Sequence, residues 1–343
     1  MKKKNSLVKV TSTLSLPIIL VVLIVVFSIL LPDSFPTAYN FRTLINTKSP
    51  VILLALAVLV PIAAGHFDLS VGYNVCLMHI LAVGLQVKQG LPWWLTCIIL
   101  LVLGCFIGIC NGLLVTRVGI DSFIATLGTG QILYGLAFWY TDGAQIVGTG
   151  KLPTAFTNIA ATVGGWLPIL FVLTILIAIA LWVFLEYTPE GRYMYMLGSN
   201  VKSAEIAGIN PNIHLLVAFA FAGVLTAVAG IMLGAQLRVG QISVGPDYLM
   251  NSFAGALLGA TTIKVGRVNV WGTVCAVFMM SVAVAGLQQL GANYFVEPIF
   301  NGSILLIAVA FQMYSSRKRV EVNKTQLLKN IEAEEKKDAE NKQ

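Results

Sequence analysis

The chain has 343 residues, of which 57% are hydrophobic and only 11% are charged, and its formal net charge is +7. One water-soluble core cannot hide this much apolar surface, so the composition excludes an ordinary soluble domain and predicts a membrane protein. The positive charge is concentrated between the apolar runs, which indicates how the chain is oriented in a membrane rather than that it binds nucleic acid.

Ten apolar segments predict an all-α, polytopic bundle of about ten transmembrane helices. Their approximate bounds are 13–31, 49–65, 71–87, 93–115, 122–140, 164–186, 213–234, 248–263, 268–290 and 297–313. The first segment follows three lysines but is too long for a signal peptide and lacks a cleavage site, so we expect it to be retained. We expect a cytoplasmic N-terminus over 1–12, a transmembrane domain over 13–315 and a cytoplasmic charged tail over 316–343.

The basic residues assign a direction to this bundle. With ten spans both termini lie on one side, and the segments on that side contain most of the lysines and arginines, including Arg317, Lys318 and Arg319. The opposite side has only five of them: Arg42, Lys48, Lys88, Lys151 and Arg238. The positive-inside rule therefore predicts that both termini are cytoplasmic and that the protein lies in the inner or plasma membrane.

A polar stretch, GHFDLSVG at Gly65–Gly72, interrupts the apolar sequence after the second segment. Pro61 removes a backbone hydrogen bond and the glycines tolerate a non-helical path, so we expect a short second span that stops inside the protein. Asp68 allows two interpretations. It either caps the third helix by accepting amide hydrogens, or it is an ionisable proton or ligand site, and His66 has the same functional alternative.

A second interrupted stretch, GATTIKVG at Gly259–Gly266, ends the short eighth segment. Aligning the two stretches pairs their first and last glycines and places Asp68 opposite Thr262, although a chain with 31 glycines also allows such agreement by chance. Paired, glycine-interrupted spans are the sequence feature that points to the translocation path of a transporter. The predicted gating residues are Gly65, Asp68, Ser70, Gly72, Gly259, Thr262 and Gly266.

Several polar side chains lie inside the predicted spans, among them Gln288 and Asn301. They either hydrogen-bond neighbouring helices or contact a solute. A neutral polar solute calls for amide and hydroxyl partners with aromatic faces. We expect such contacts from residues near the two interrupted stretches, which are Asn74, Asn111, Gln131, Tyr134, Asn251 and Asn269.

The chain does not encode an energy source of its own. GTGKLP at 148–153 departs from a phosphate-binding loop, because Leu152 stands where Ser or Thr must hold magnesium. Asp68 is essentially the only ionisable group within the spans, whereas proton or sodium coupling normally uses several. No metal cluster or catalytic set emerges, so we expect neither a bound cofactor nor enzyme activity. The alternatives are a proton-coupled carrier or passive channel that uses Asp68, and a membrane-embedded enzyme or scaffold.

The largest predicted cytoplasmic loop between spans, residues 187–212, contains a short helix outside the membrane. Asn200 can cap a helix over Val201–Ala207, Gly208 can end it in the left-handed conformation, and Pro211 forbids its continuation. A stiff short helix transmits force, so this one is a candidate coupling element, and the alternative is an ordinary connecting loop. The predicted coupling residues are Asn200, Lys202, Ser203, Glu205 and Gly208.

From about Leu14 to Met313 the chain resembles the permease subunits of ATP-binding-cassette importers for ribose and other simple sugars. The resemblance is carried by GHFDLSVG, by NGLLVTRVGIDSFIATLGTGQILYG at 111–135, by GRYMYMLGSNVKSAEIAGIN at 191–210 and by GALLGATTIKVGRVNVWGT at 255–273. His66 and Phe67 replace the glycine and isoleucine that the family usually has before the aspartate. This departure concerns the substrate more than the class.

The resemblance implies a membrane path formed by two permease chains, either identical or sister subunits. It implies a periplasmic or lipid-anchored binding protein that delivers a monosaccharide or sugar alcohol. It also implies a cytoplasmic ATP-binding-cassette ATPase that grips the loop helix around Asn200–Gly208. ATP and Mg²⁺ would then be bound by that partner rather than by this chain.

Overall fold

The computed structural model describes residues 14–310, and it is mainly helical over that range. Its long helices are α1 Ser15–Leu30, α2 Ala38–Ala63, α3 Ser70–Val87, α4 Trp93–Leu113, α5 Ser122–Thr141, α7 Ile169–Tyr187, α10 Pro211–Leu237, α11 Val244–Gly259, α12 Val270–Gln289 and α13 Val296–Ala310. The shorter ones are α6 Thr154–Thr157, α8 Pro189–Ser199 and α9 Val201–Ile206, and α4 continues as a π-helical turn over Leu114–Val118. The all-α prediction is therefore confirmed, and each of the ten apolar segments overlaps one long helix.

The count of ten spans is not confirmed by length and composition alone. In the described part of the chain, six helical segments are long and apolar enough to cross a membrane, namely 38–63, 70–87, 93–118, 169–187, 211–237 and 270–289. α1 and α11 have only 16 residues each, and threonine, glycine and glutamine residues lower the mean hydropathy of α5. Six apolar helices of this length make the chain a multi-pass membrane protein.

α2 forms the centre of the bundle. Every one of its residues from Val51 to Ala63 is buried, because α7, α10, α11 and α12 pack around it. α10 also packs closely against α4, where a Cβ added to Gly223 would lie 2.1 Å from the carbonyl oxygen of Gly104. The outward faces of α1, α4, α5 and α7 carry exposed aliphatic and aromatic side chains, as expected for helices in contact with lipid.

The segments between the helices gather at two ends of the bundle. At the strand end, β1 Ile146–Val147 pairs antiparallel with β4 Val239–Gly240, and β2 Thr162–Val163 pairs with β3 Leu167–Pro168. At the break end lie two non-helical segments that we call the first break (residues 64–69) and the second break (residues 260–269). α2 runs from the strand end to the break end, and Gln236 near the end of α10 donates to the Asn46 carbonyl oxygen over 3.0 Å.

The prediction of a short second span was wrong, because α2 begins at Ala38 and has 26 residues. Hydropathy missed its first turns since they contain Thr43 and Lys48, yet Thr37 caps them by accepting a hydrogen bond from the Asn40 amide over 3.2 Å. The helix ends at Ala63, shortly after Pro61. α11 is short, as predicted. The predicted N-terminal segment 1–12 and charged tail 316–343 lie outside the described residues.

Candidate functional site

The first break keeps its backbone hydrogen-bonded although it is not helical. Gly65 has a φ of +84°, a conformation that glycine adopts without strain. α5 supplies hydroxyl acceptors for the amides that follow. Ser122 Oγ accepts from Phe67 N at 3.3 Å, and Thr126 Oγ1 accepts from Leu69 N at 3.0 Å. A break at membrane depth is tolerated only when the protein satisfies its polar groups in this way.

A buried polar network surrounds Asp68, which is 2% exposed. Its Oδ1 accepts from the Ser70 amide at 3.0 Å and from Ser70 Oγ at 2.5 Å. Asn111 Nδ2 donates to Ser70 Oγ over 2.8 Å, and Thr129 Oγ1 donates to Asn111 Oδ1 over 2.7 Å. Asp68 therefore binds the first amide of α3, as the capping interpretation expects. Asn111 uses both its amide nitrogen and its amide oxygen in this network, and its role as a solute contact stays a prediction.

The second break ends in a different cap. Asn269 Oδ1 accepts from the Gly272 amide at 2.8 Å, while its Nδ2 donates to the carbonyl oxygens of Gly259 at 3.1 Å and Thr262 at 3.0 Å. The alignment had placed Thr262 in the capping position, but α12 begins eight residues later and Asn269 caps it. Asn269 is thus a helix cap with its amide engaged by backbone, and Gly266 supplies the turn with a φ of +80°.

α8 contacts both breaks. A Cβ added to Gly198 would lie 2.3 Å from the Ala63 carbonyl oxygen and 3.0 Å from the Gly65 nitrogen, so here α8 and the first break touch backbone to backbone. At the second break, the Tyr195 hydroxyl donates to the Val268 carbonyl oxygen over 3.0 Å. One helix on the break end thus joins two segments that are far apart in the sequence.

A charged cluster reinforces the contact with the second break. Glu186 near the end of α7 accepts hydrogen bonds from Lys264 and Arg267, and the Arg267 guanidinium carbon lies 3.6 Å from the centroid of the Tyr195 ring. Burial raises the pKa of the Tyr195 phenol to about 12, so it stays a hydrogen-bond donor at physiological pH. The cluster therefore ties together α7, α8 and the second break.

The loop helix predicted from capping is present as α9. Asn200 Oδ1 accepts from the Ser203 amide at 3.1 Å, and Gly208 follows the helix with a φ of +78°. Pro211, however, also begins the next helix, since it occupies the first turn of α10. Such a proline fits there because its missing N–H has no helical partner to lose.

Sequence reasoning missed α8 and the most exposed apolar residue of this segment. Lys202, Ser203 and Glu205 on α9 are exposed, as expected for a contact surface. Beside them, Ile206 is 89% exposed and Val201 is 43% exposed. The sequence contained this information, because Val201 and Ile206 are the large aliphatic residues of an otherwise small and polar helix.

The residues proposed as solute contacts do not converge on one place. Asn74 is buried within α3 at 1% exposure, and Tyr134 packs on Tyr73 with their ring centroids 5.3 Å apart. Gln131 is exposed on the outer face of α5. Asn251 lines a cavity at the strand end.

That cavity has a volume of about 900 Å³ and opens between α2, α11, α12 and α13. Besides Asn251 it exposes Gln288 and Asn301, two of the polar residues noted within the spans. Thr43 and Thr47 on the first turns of α2 form the facing wall. These two threonines were not among the predicted contacts, because they precede the apolar segment predicted over 49–65. Their spacing of four residues nevertheless puts them on one helical face.

Comparison with known proteins shows which family this chain belongs to. A family model described as "Branched-chain amino acid transport system / permease component" matches residues 40–309. The chain belongs to this permease family. The ribose import permease protein of Bacillus subtilis is 34% identical over 299 residues, which cover 84% of this chain and 89% of that protein.

Two further relatives agree with it. The ribose import permease protein of Haemophilus influenzae is 30% identical over 306 residues, 88% of this permease and 94% of the relative. The D-allose transport system permease protein of Escherichia coli is 27% identical over 300 residues, 87% and 91% of the two chains. No solved structure matches the permease. The resemblance to sugar importer permeases is thereby confirmed, and the matched region contains both breaks, α8, α9 and the whole cavity wall.

Proposed function

We propose that this permease is the membrane subunit of an ATP-driven importer for a monosaccharide or sugar alcohol. The observation that carries the proposal is the contact of α8 with both breaks, through Gly198 and Tyr195. A force applied to α8 and α9 from outside the bilayer reaches both interrupted spans through one rigid element, as a rocking transport mechanism requires. The relatives named for ribose and allose favour a sugar over the amino acids in the family description.

In the proposed topology all ten long helices cross the bilayer and the break end faces the cytoplasm. Basic residues support this direction, since the break end carries Arg192, Lys202, Lys264 and Arg267. The short α11 is compatible with a spanning role, because the second break that follows it is capped within the protein and does not need water. Both termini then lie in the cytoplasm.

The energy comes from a partner ATPase that binds ATP and Mg²⁺ and docks on α8 and α9. The exposed Ile206 and Val201 support such a contact, because large apolar side chains on a polar surface mark protein interfaces. Asn200, Lys202, Ser203, Glu205 and Gly208 surround them as the proposed coupling residues. A soluble binding protein delivers the sugar at the strand end.

A second copy or a sister permease lies along α5 in this proposal. Gln131 is exposed there, and a Cβ added to Gly128 or Gly135 would meet nothing within 4 Å. An amide that faces hydrocarbon is costly, whereas one that faces a neighbouring helix or a water-filled path is satisfied. The proposal therefore keeps Gln131 as a residue of the path between two subunits. Asp68 does not favour a proton-coupled carrier, because its Oδ1 already accepts hydrogen bonds from the amide and hydroxyl of Ser70 at the start of α3.

Reconstitution in liposomes tests this function. We expect sugar uptake only when the permease, its ATPase, its binding protein and ATP are all present. Accumulation of sugar by the permease alone in response to a proton gradient would contradict the proposal.

Two variants test the docking surface in the same assay. Gly208→Pro cannot adopt the φ of +78° or keep the hydrogen bond from the Gly208 amide to the Glu205 carbonyl oxygen, so it should remove ATPase stimulation while membrane insertion persists. Ile206→Ser should weaken ATPase binding. Its control is Val163→Ser, an exposed residue of β2 at the strand end, which should leave ATPase binding unchanged. Full stimulation in Gly208→Pro and full binding in Ile206→Ser would remove α9 from the mechanism.

A further inference from the structure

The cavity at the strand end has the chemistry of a saccharide site. Its wall offers side-chain amides and hydroxyls from four helices, which are Asn40, Thr43, Thr47, Asn251, Gln288 and Asn301. Its volume of about 900 Å³ falls in the range of small-molecule sites, roughly 300–1,000 Å³. We infer that this cavity, within a single copy of the chain, binds one neutral polyhydroxylated molecule of monosaccharide size. The inference rests on the proposed function and names where the solute first binds.

The charges of the wall favour a neutral ligand. Lys48 Nζ lies 3.3 Å from Glu297 Oε1, and Gln288 Nε2 donates to Glu297 Oε2 over 3.2 Å, so the lysine is compensated. Asp247 is the remaining charged residue of the lining, which leaves the wall with one excess negative charge. A phosphorylated sugar is therefore repelled. An amino acid would have to separate the Lys48 and Glu297 pair to find partners for both its charges.

One wall residue has an unused hydrogen-bond acceptor. Asn251 Oδ1 is buried without a hydrogen-bond partner in the protein. Leaving a buried acceptor unpaired costs about 1–3 kcal/mol. A rotation of the Asn251 side chain that turns this oxygen into the cavity would let a ligand hydroxyl satisfy it. Asn46 has the same unpaired buried oxygen but does not line the cavity, so it provides a matched comparison.

A second, much smaller pocket adjoins the cavity. It has a volume of about 10 Å³, and both lie against Lys48, Val51, Asn251, Glu297 and Asn301. Its other lining residues are Val277, Met280, Ser281 and Val284 of α12. The polar wall of the cavity therefore gives way to a mainly apolar surface next to Asn251 and Asn301.

The first experiment measures binding to the full-length permease in nanodiscs without ATPase or binding protein. We expect D-ribose or D-galactose to raise the thermal unfolding temperature, and L-leucine and ribose 5-phosphate to have no effect. Asn251→Leu should weaken the apparent sugar affinity about tenfold, as expected for one buried hydrogen bond, and Asn46→Leu should not change it. Equal weakening in both variants, or a response to leucine in place of sugar, would overturn the inference.

A second measurement does not depend on the stability of the Asn251 variant. Thr47→Cys places a thiol on the cavity wall, where none of the five native cysteines lies. We expect a water-soluble maleimide to label it and D-ribose to slow that labelling, while L-leucine does not. Labelling that no sugar slows would overturn the inference even if the assembled importer still transported sugar. An assembled importer that transports leucine and no sugar would instead contradict the proposed function.

Discussion

The two breaks interrupt spans of the same bundle by different means. The first break has six residues and is held by buried hydroxyls, the Asp68 carboxylate and a backbone contact with Gly198. The second break has ten residues and is held by the Asn269 amide and by a partly exposed ionic cluster around Glu186.

The difference indicates different mechanical roles. Close backbone packing leaves no room for adjustment, so the first break should behave as a fixed pivot. Ion pairs that water reaches are weak and sensitive to salt, so the second break should be the segment that moves more easily. α8 holds both, and the four predictions below separate the two kinds of contact.

The largest effect is expected at the pivot. Gly198→Ala puts a methyl group 2.3 Å from the Ala63 carbonyl oxygen, and because the clash is with backbone we expect a loss of about 3 kcal/mol, near the upper range for overpacking. Thermal unfolding in detergent micelles measures it. Gly128→Ala, at a helical glycine with open space around it, should instead be neutral or slightly stabilising. Equal behaviour of the two variants would mean that α8 does not pack on the first break.

The second-largest loss of stability is expected for Asp68, which accepts hydrogen bonds from Ser70 at the start of α3. Asp68→Leu removes the acceptor for the Ser70 amide and hydroxyl, and we expect a loss of about 2 kcal/mol, since buried donors remain unpaired. Asp68→Asn keeps a side-chain oxygen and should cost less than about 1 kcal/mol, with transport largely retained. A stable but inactive Asp68→Asn permease would show instead that transport needs the charge.

The ionic cluster should contribute less. Glu186 is 15% exposed, but its partners Lys264 and Arg267 are 43% and 38% exposed, so we expect Glu186→Gln to cost about 1 kcal/mol at low salt and little in 1 M NaCl. Unfolding temperatures at the two salt concentrations measure this. Glu190→Gln on α8, with an exposed side chain, is the control. A loss that is independent of salt would contradict the ionic account.

The smallest effect is expected for Tyr195→Phe. It removes the hydrogen bond to the Val268 carbonyl oxygen but keeps the ring under Arg267, so the cost should be about 0.5–1 kcal/mol. Unlike Glu186→Gln, this variant should keep the salt dependence of the wild-type protein. With a phenol pKa of about 12, the hydrogen bond should persist from neutral to moderately alkaline pH and weaken only as the phenol ionises. A wild-type stability that falls between pH 7 and pH 9, with no such fall in Tyr195→Phe, would contradict this.

Local features were predictable from the sequence because they depend on neighbouring residues. Apolar runs of helical length predict the ten long helices, Asn200 and Gly208 predict α9, and the glycines and Asp68 mark the first break. The second cap was not predictable from alignment, because the turn between Gly259 and Asn269 has its own hydrogen bonds. The early start of α2 was hidden by its polar turns.

The amino-acid sequence by itself determined that this protein lies in a lipid bilayer, that it is helical, and where its spans are interrupted. These features depend on apolar side chains and on the conformational freedom of glycine, which both act locally. Only the tertiary structure decided that one short helix holds both breaks and that polar residues of four helices enclose a cavity. Those contacts join residues up to about 250 positions apart, and their partners are set by how helices pack rather than by any pattern along the chain.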